Sequence, residues 1–213
     1  MKATVCVPKN YKDKAFLVEL LRQWVILLET YEAVGCQNCD DTDAAYWYGE
    51  RTLTGLLGAA AWSLGGWSVE EFTTDRHKGR RKSKSGKGRG DLWFGKASFR
   101  ATVEAKLHWI NKSITDAEER LWKCHRKAKN QLRQIDGECR VGIPFSACYV
   151  VPWYVAKRNG LKKGTVALKA LQEGAKAAGA ATALHFGCDA VKKWQDDGRA
   201  YPGVLLVLRQ ESW

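Results

Sequence analysis

Apolar residues recur at helical spacing near the start of the chain and define its first predicted element. A helix is expected over residues 13–34, because one face collects Phe16, Leu17, Leu20, Leu21, Trp24, Leu27, Leu28 and Tyr31. After an acidic loop, a second helix is predicted over residues 44–63, closed by Gly65 and Gly66. The first part of the chain is therefore expected to be helical.

Strand patterns dominate the rest of the chain, interrupted by two further helices. Strands are predicted at residues 67–74, 91–94, 99–109, 143–154, 182–186 and 204–208. The helices are predicted at residues 115–135, which open on a capping box, and at residues 162–178. The order helix, three strands, helix, strand predicts an α/β fold. We expect a single domain over residues 1–213, with 1–43 as a helical extension and 44–213 as the core.

The strand over residues 99–109 has the clearest alternation in the chain. Every odd position from Phe99 to Trp109 is apolar, and every even position is polar. A period of two places Glu104 and Lys106 on one face, roughly 6.5–7 Å apart along the strand. The same pattern is typical of a half-exposed sheet whose polar face is simply solvated.

Asp91 is predicted to join that polar face from the preceding strand. If residues 95–98 contain the turn of an antiparallel hairpin, an even-numbered turn makes odd residues face even ones. We expect a four-residue turn to put Asp91 directly opposite Glu104, and a two-residue turn to put it on the diagonal. Either arrangement brings the carboxylates within about 5–8 Å of each other. Hard oxygen ligands at this spacing suit Mg²⁺ or Mn²⁺.

Two helical positions add further polar candidates. Glu50 shares a helical face with Leu53 and Leu57, where a carboxylate needs a metal, a cation or a donor. The alternative is that Glu50 is exposed. Gln131 falls on the apolar stripe of the 115–135 helix, where a buried amide needs a partner and a structural hydrogen bond is the simplest one.

Positive charge is concentrated in one segment. The chain has 35 Lys and Arg against 23 Asp and Glu, a formal charge of +12 that favours polyanionic partners. Residues 75–90 contain four glycines, and Asp75 is their one acid. We predict a mobile loop there that binds nucleic acid through Arg76, Lys78, Arg80, Arg81, Lys82, Lys84, Lys87 and Arg89.

Seven scattered cysteines do not form the framework of a secreted disulfide-rich protein. They suit a reducing compartment, and charged residues interrupt the first apolar stretch, so a cytoplasmic protein is expected. Cys36 and Cys39 could be half of a zinc site completed by Cys124 and His125, or they could be ordinary loop thiols.

Taken together, residues 46–135 resemble the PD-(D/E)XK, or restriction-endonuclease-like, nuclease superfamily. The resemblance rests on the helix with Glu50, on Gly90-Asp91-Leu92-Trp93, on Glu104-Ala105-Lys106 and on the helix with Gln131. Two positions depart from the family. Gly90 stands where the Pro that names the motif would be, and Ile135 stands where exonuclease-like members carry a Tyr after the Gln.

The resemblance implies roles for the candidate residues and a reaction. Asp91 and Glu104 would hold a Mg²⁺ or Mn²⁺ ion, with the Ala105 carbonyl and Glu50 as further ligands, while Lys106 would orient or activate the attacking water. It implies an αβββαβ core that hydrolyses phosphodiester bonds, in DNA more than in RNA. A homo-oligomer or a protein partner is compatible with this reading. A non-catalytic nucleic-acid-binding module and a subunit of a larger assembly are the alternatives.

Overall fold

Four α-helices and nine β-strands form the part of the chain described by the computed structural model, which covers residues 4–38, 43–77, 85–111, 114–155, 160–187 and 199–213. The helices are α1 (Lys14–Asn38), α2 (Glu50–Ser63), α3 (Ile114–Gln134) and α4 (Gly160–Ala177). The strands are β1 (Thr4–Cys6), β2 (Trp67–His77), β3 (Ser85–Lys96), β4 (Phe99–Ile110), β5 (Ile143–Pro152), β6 (Tyr154–Val155), β7 (Ala181–Phe186), β8 (Arg199–Ala200) and β9 (Gly203–Gln210).

Seven of these strands form one mixed sheet in the order β1-β7-β9-β5-β4-β3-β2. β4 and β5 run parallel, and the other neighbouring strands of this sheet run antiparallel. α3 makes the crossover between β4 and β5 that a parallel pair requires. The predicted α/β class is confirmed, as is the order of one helix, three strands, one helix and one strand from α2 to β5.

Helices cover both faces of the sheet, and β4 divides its side chains between the two layers. Its odd residues Ala101, Val103 and Ala105 are buried in a core shared with α1 and α2. On the other face, α3 and α4 pack on Ile110 of β4 and on Cys148 of β5. The polar even positions of β4 therefore lie on the α3 side of the sheet.

The N-terminal segment is an integral part of the core and not an extension to it. β1 pairs with β7 at one edge of the sheet, with Thr4 opposite Leu184. The apolar face predicted for α1 is confirmed, and its buried members include Leu17, Leu20, Leu21, Trp24 and Leu28. The sequence pattern missed β1 because three residues are too few to show an alternation.

The predicted mobile loop over residues 75–90 is wrong at both of its ends. Asp75–His77 belong to β2 and residues 85–90 belong to β3, paired from Asp75–Lys87 to His77–Ser85, so only residues 78–84 separate the strands. Two glycines that suggested flexibility instead allow close packing. A Cβ at Gly88 would meet the Arg76 side chain, and a Cβ at Gly90 would meet the Phe72 ring.

The β3–β4 turn contains two residues, because Lys96 pairs with Phe99. The same register pairs Leu92 with Val103, which sets Asp91 across from Glu104 at the next position. Asp91 therefore lies directly opposite Glu104 with a two-residue turn. The prediction that this arrangement needs a four-residue turn is wrong. The expectation that the two carboxylates share one face holds for either turn length, because two and four are both even numbers of residues.

The predicted 44–63 helix is divided in two. A 3₁₀ turn at Ala45–Trp47 precedes α2, and Gly49 between them has a φ of 107°, a conformation that favours glycine. The break makes Glu50 the first residue of α2. At the other end Gly65 has a φ of 75°, and the Gly66 N–H donates to the Ala61 carbonyl, as a glycine-closed helix end requires.

The predicted 143–154 strand is divided, because β5 ends at Pro152 and Tyr154 belongs to β6, whose partner β8 was not predicted. β6 and β8 pair with each other in a separate two-stranded sheet.

None of the helices in the described ranges combines the length and the apolarity needed to cross a membrane.

Candidate active site between β3 and β4

The candidate site lies where β3 and β4 separate. The two strands pair only as far as Leu92 and Val103, after which β3 continues beside β2. β4 itself continues to Ile110 along β5. Among the described residues, the β4 backbone from Ala105 onward thus has no strand pairing on its β3 side. Its N–H groups there need other acceptors.

Two carboxylates supply those acceptors. Asp91 Oδ2 accepts a hydrogen bond from the Ala105 N–H at 2.7 Å, and Glu50 Oε2 accepts one from the Leu107 N–H at 2.7 Å. Burial raises the pKa of Glu50, although the Lys106 charge and the Leu107 N–H oppose the rise. Two predicted site residues from different elements are therefore fixed to one edge of β4.

Lys106 lies between these two carboxylates. Its Nζ is 3.6 Å from Glu50 Oε1 and 3.7 Å from Asp91 Oδ2, and it also donates to the Ala105 carbonyl. The three side chains are only partly exposed, at 22% for Lys106, 35% for Glu50 and 29% for Asp91. The ammonium group thus neutralises part of the negative charge at the site while it remains open to solvent.

Glu104 is far less accessible than its neighbours. Its side chain is 1% exposed and pairs with the Arg76 guanidinium. Burial, with the negative charge of Asp91, raises the pKa of Glu104 to about 8, although Arg76 and Lys106 act in the opposite direction. Desolvation outweighs the ion pair here because the whole carboxyl group is enclosed. Near neutral pH, a proton is therefore retained on Glu104.

Arg76 lies inside the site, although it was assigned to a basic nucleic-acid-binding loop. Its side chain is 12% exposed, and it donates both to Glu104 and to the Arg89 carbonyl. It reaches both acceptors because Gly88 leaves room for its side chain across β3. No local pattern in the sequence marks this role, because the register that puts Arg76 opposite Gly86 is a property of the folded hairpin.

Gln131 occupies the site-facing side of α3. It lies one helical turn before Ile135, whose backbone forms an isolated bridge with Arg76. Its Oε1 is buried and has no hydrogen-bond partner among the described residues. The structural hydrogen bond expected for Gln131 is therefore not found at this oxygen.

The remaining predicted nucleic-acid contacts fall into two groups. Lys87 and Arg89 are exposed on β3, and Arg89 pairs with Glu71 at 2.8 Å. Lys78, Arg80, Arg81, Lys82 and Lys84 lie outside the described residues.

Two acids beside the site were not singled out by the sequence pattern. Glu70 and Glu71 join Glu50, Asp91, Arg51 and Thr54 around a cleft of about 170 Å³. Glu71 has a φ of 49°, unusual for a residue with a side chain, and its carboxylate holds Arg51 at 2.6 Å. No periodicity marks these acids, because they are adjacent residues of β2 and the pairing of β2 with β3 skips Glu71.

A divalent ion suits the chemistry of these donors, although each donor is engaged by the protein itself. Among the described residues, no group of three or more His, Cys, Asp or Glu side chains is arranged to hold a metal ion. Lys106 instead contacts the Asp91 and Glu50 carboxylates, and Arg76 contacts the Glu104 carboxyl group. Asp91, Glu104, Glu50 and the Ala105 carbonyl fit Mg²⁺ or Mn²⁺ as hard oxygen ligands. Coordination by Glu104 and by the Ala105 carbonyl would require Arg76 and Lys106 to move.

The proposed zinc cluster receives no support from its second half. A hydrogen bond to Cys148 lowers the pKa of Cys124 to about 7. His125 Nδ1 is 2.8 Å from Ser146 Oγ. Both side chains are therefore engaged under α3, and Cys39 lies outside the described residues.

No protein-family model, no curated protein and no solved structure matches this chain. The resemblance to PD-(D/E)XK nucleases consequently stays a prediction, which rests on the residues and contacts given above.

Proposed function

We propose that this protein is a divalent-metal-dependent nuclease with a restriction-endonuclease-like core, which hydrolyses phosphodiester bonds in DNA. One observation carries the proposal. Lys106 lies between the Asp91 and Glu50 carboxylates, with buried Glu104 on the same strand, at an opening in the sheet. A purely structural strand edge needs acceptors for its N–H groups, but it does not need a lysine among them.

The chain's own residues provide complementary functions for hydrolysis. A bound Mg²⁺ or Mn²⁺ ion would act as a Lewis acid toward the phosphate and its attacking water. Asp91 and Glu104, with Glu50 and the Ala105 carbonyl, would hold that ion. Lys106 is placed to orient the water and to stabilise negative charge that develops on the phosphoryl oxygens. Arg76 donates a hydrogen bond to Glu104 and so holds this carboxyl group in place.

The main alternative is a nucleic-acid-binding module without catalysis. It is favoured by the engagement of every candidate ligand with a protein group, since such a site is stable without any metal. The two functions differ in one respect that can be measured. A binding module requires no divalent ion, whereas the proposed nuclease is inactive without one.

A cleavage assay decides between them. Purified protein is incubated with linear and circular, single- and double-stranded DNA and RNA, in Mg²⁺, in Mn²⁺ or in EDTA. We expect DNA cleavage in Mg²⁺ or Mn²⁺ only, abolished by Glu104→Ala and retained by Glu119→Ala, which removes an exposed acid of α3. Binding without cleavage of any substrate would contradict the nuclease and favour the binding module.

A further inference from the structure

A cationic face runs along α3 beside the site. From position 120 to position 133 the helix carries no acid, and its six basic residues are Arg120, Lys123, Arg126, Lys127, Lys129 and Arg133. All of them are exposed except Lys129, which is partly buried and pairs with Glu211 at 2.5 Å. The acids of the helix, Asp116, Glu118 and Glu119, all precede the basic run.

Three of these cations form a stripe that we call the α3 stripe: Arg120, Lys123 and Lys127. Residues spaced by three and by seven positions share one side of a helix. The stripe extends roughly 10 Å along the helix axis, about the axial rise of three nucleotides in one strand of B-DNA. Its spacing therefore suits successive phosphates of a single strand.

The packing of α3 locates the stripe next to the site, because Ala117 and Leu121 of this helix lie in one buried cluster with Ile110 of β4. Electrostatic effects on two neighbouring residues agree with this position. Burial lowers the pKa of His108 on β4, and the Arg120 charge lowers it further. A hydrogen bond to Cys148 lowers the pKa of Cys124; the charges of Lys127 and Lys106 lower it further, and the Glu50 charge opposes them. The stripe therefore borders the same stretch of β4 that carries Lys106, on the side of the sheet to which its polar residues point.

The stripe has no compensating charge within the described residues. None of its three members makes an ion pair with a carboxylate there, whereas Lys129 on the same helix does. Like charges at spacings of three and four residues repel one another and destabilise a helix. An uncompensated row of this kind is a phosphate-binding surface when it flanks an opening that takes nucleic acid.

We infer that Arg120, Lys123 and Lys127 bind the phosphate backbone of the nucleic-acid strand that enters the site between β3 and β4. This inference rests on the proposed function, because it assigns the substrate path for that site. The sequence pattern assigned the affinity for nucleic acid to residues 75–90. The inference assigns part of that affinity to α3. The contacts are to phosphates and carry no sequence preference.

The test compares two triple variants that each remove three positive charges. One is Arg120→Gln/Lys123→Gln/Lys127→Gln, and the matched control is Lys12→Gln/Lys14→Gln/Arg22→Gln, whose exposed residues lie at the start and on the outer side of α1. Binding of a fluorescent DNA duplex is measured by anisotropy in EDTA, between about 50 and 200 mM salt. EDTA prevents cleavage, so the measurement does not depend on catalysis.

The α3 variant should lose at least about tenfold in affinity, and its log–log salt slope should flatten by up to about 2.7, or about 0.9 per lost contact. The control should change its slope by less than half as much. Arg120→Lys/Lys123→Arg/Lys127→Arg, which keeps all three charges, should bind like the original protein. Urea unfolding of each variant establishes that it is folded.

Three results would overturn the inference: an unchanged slope in the α3 variant, an equal loss in the control, or no duplex binding by the original protein. Failure of the proposed function gives a different pattern. In that case the α3 variant loses binding as expected, while the original protein cleaves no substrate in Mg²⁺ or Mn²⁺.

Discussion

Lys106 and Glu104 lie on one face of β4, yet the protein surrounds them differently. Lys106 is partly exposed and sits between two carboxylates, whereas Glu104 is buried and pairs with one guanidinium. An exposed ammonium can move away when another cation enters. A buried carboxyl group is held in place by the side chains around it, so the two residues should respond differently to substitution.

Substitution should separate metal binding from turnover. Lys106→Ala should bind Mn²⁺ at least as tightly as the original protein, because it removes a competing cation 3.6–3.7 Å from two carboxylates. Its single-turnover cleavage should nevertheless fall by about 10²–10⁴-fold, the usual effect of losing a proton acceptor or a charge stabiliser. Calorimetric titration beside quenched-flow cleavage measures both quantities.

Two further variants are the controls for Lys106→Ala: one removes a proposed metal ligand, and the other removes a different lysine. Glu104→Ala should lose both metal binding and cleavage, whereas Lys12→Ala, at an exposed lysine that precedes α1, should lose neither. Cleavage by Lys106→Ala at the original rate, or unaltered Mn²⁺ binding by Glu104→Ala, would show that the polar face of β4 is only a sheet surface.

The raised pKa of Glu104 predicts how the metal-free protein responds to pH. An unfolded Glu ionises near its ordinary value of 4.5, but the folded carboxyl keeps its proton up to about pH 8. Between these values unfolding releases a proton, so stability falls as pH rises and the loss is complete above pH 8. The stability contributed by protonated Glu104 is fully present only below the unfolded pKa.

Glu104→Gln tests this directly, because glutamine cannot ionise and still accepts a hydrogen bond from Arg76. The free energy of unfolding is measured in urea and EDTA at several pH values for both proteins. The variant should gain stability relative to the original protein from pH 5 to pH 8, and the difference should then level off. A difference that stays constant with pH would mean that Glu104 ionises normally.

At the scale of elements, the β2–β3 hairpin forms one side of the site. It extends past the end of its pairing with β4, so that Arg76 can reach Glu104, and its glycines make the approach possible. The backbone also connects the hairpin to the end of α3, since the Asp136 N–H donates to the Asp75 carbonyl at 2.8 Å. The hairpin is therefore a structural part of the site.

Gly90→Ala should destabilise the fold by about 1–3 kcal/mol, because the added methyl group meets the Phe72 ring in a packed arrangement. Phe72→Leu should restore part of that loss in the double variant, since it removes the obstructing ring. Gly137→Ala is the control, because a Cβ there meets nothing within 4 Å. Urea unfolding measures all four proteins, and equal effects of Gly90→Ala and Gly137→Ala would contradict the packing role.

The strand pattern of β4 was readable from the sequence because every second residue meets the same environment, buried on one side and polar on the other. Parity alone then brought Asp91 to the face of Glu104. The hairpin was not readable, because residues 75–90 are mostly basic residues, glycines and serines and carry no apolar period. The role of Arg76 was missed for the same reason, since an ion pair between β2 and β4 depends on tertiary structure.

For the whole molecule, helix and strand types could be predicted, but the neighbours in the sheet could not, apart from the β3–β4 hairpin. A local pattern indicates which residues form a strand and does not indicate the strand's partner. The pairing of β1 with β7 joins residues from opposite ends of the described chain. The same limitation applied to Glu50, whose helix was predicted but whose contact with the Leu107 N–H needed the folded structure.

The order of strands in the sheet also bears on how fast the protein folds. Thr4 pairs with Leu184, so this contact closes a loop that contains most of the chain, whereas β2, β3 and β4 pair with their neighbours in sequence. Long loops must be closed before such distant contacts stabilise anything, which slows folding. In pulse-labelled hydrogen exchange, the amides of β3 and β4 should be protected early and those of β1 in the last phase. Until that phase, β7 keeps an unpaired edge, and a refolding chain is then most exposed to aggregation through that strand.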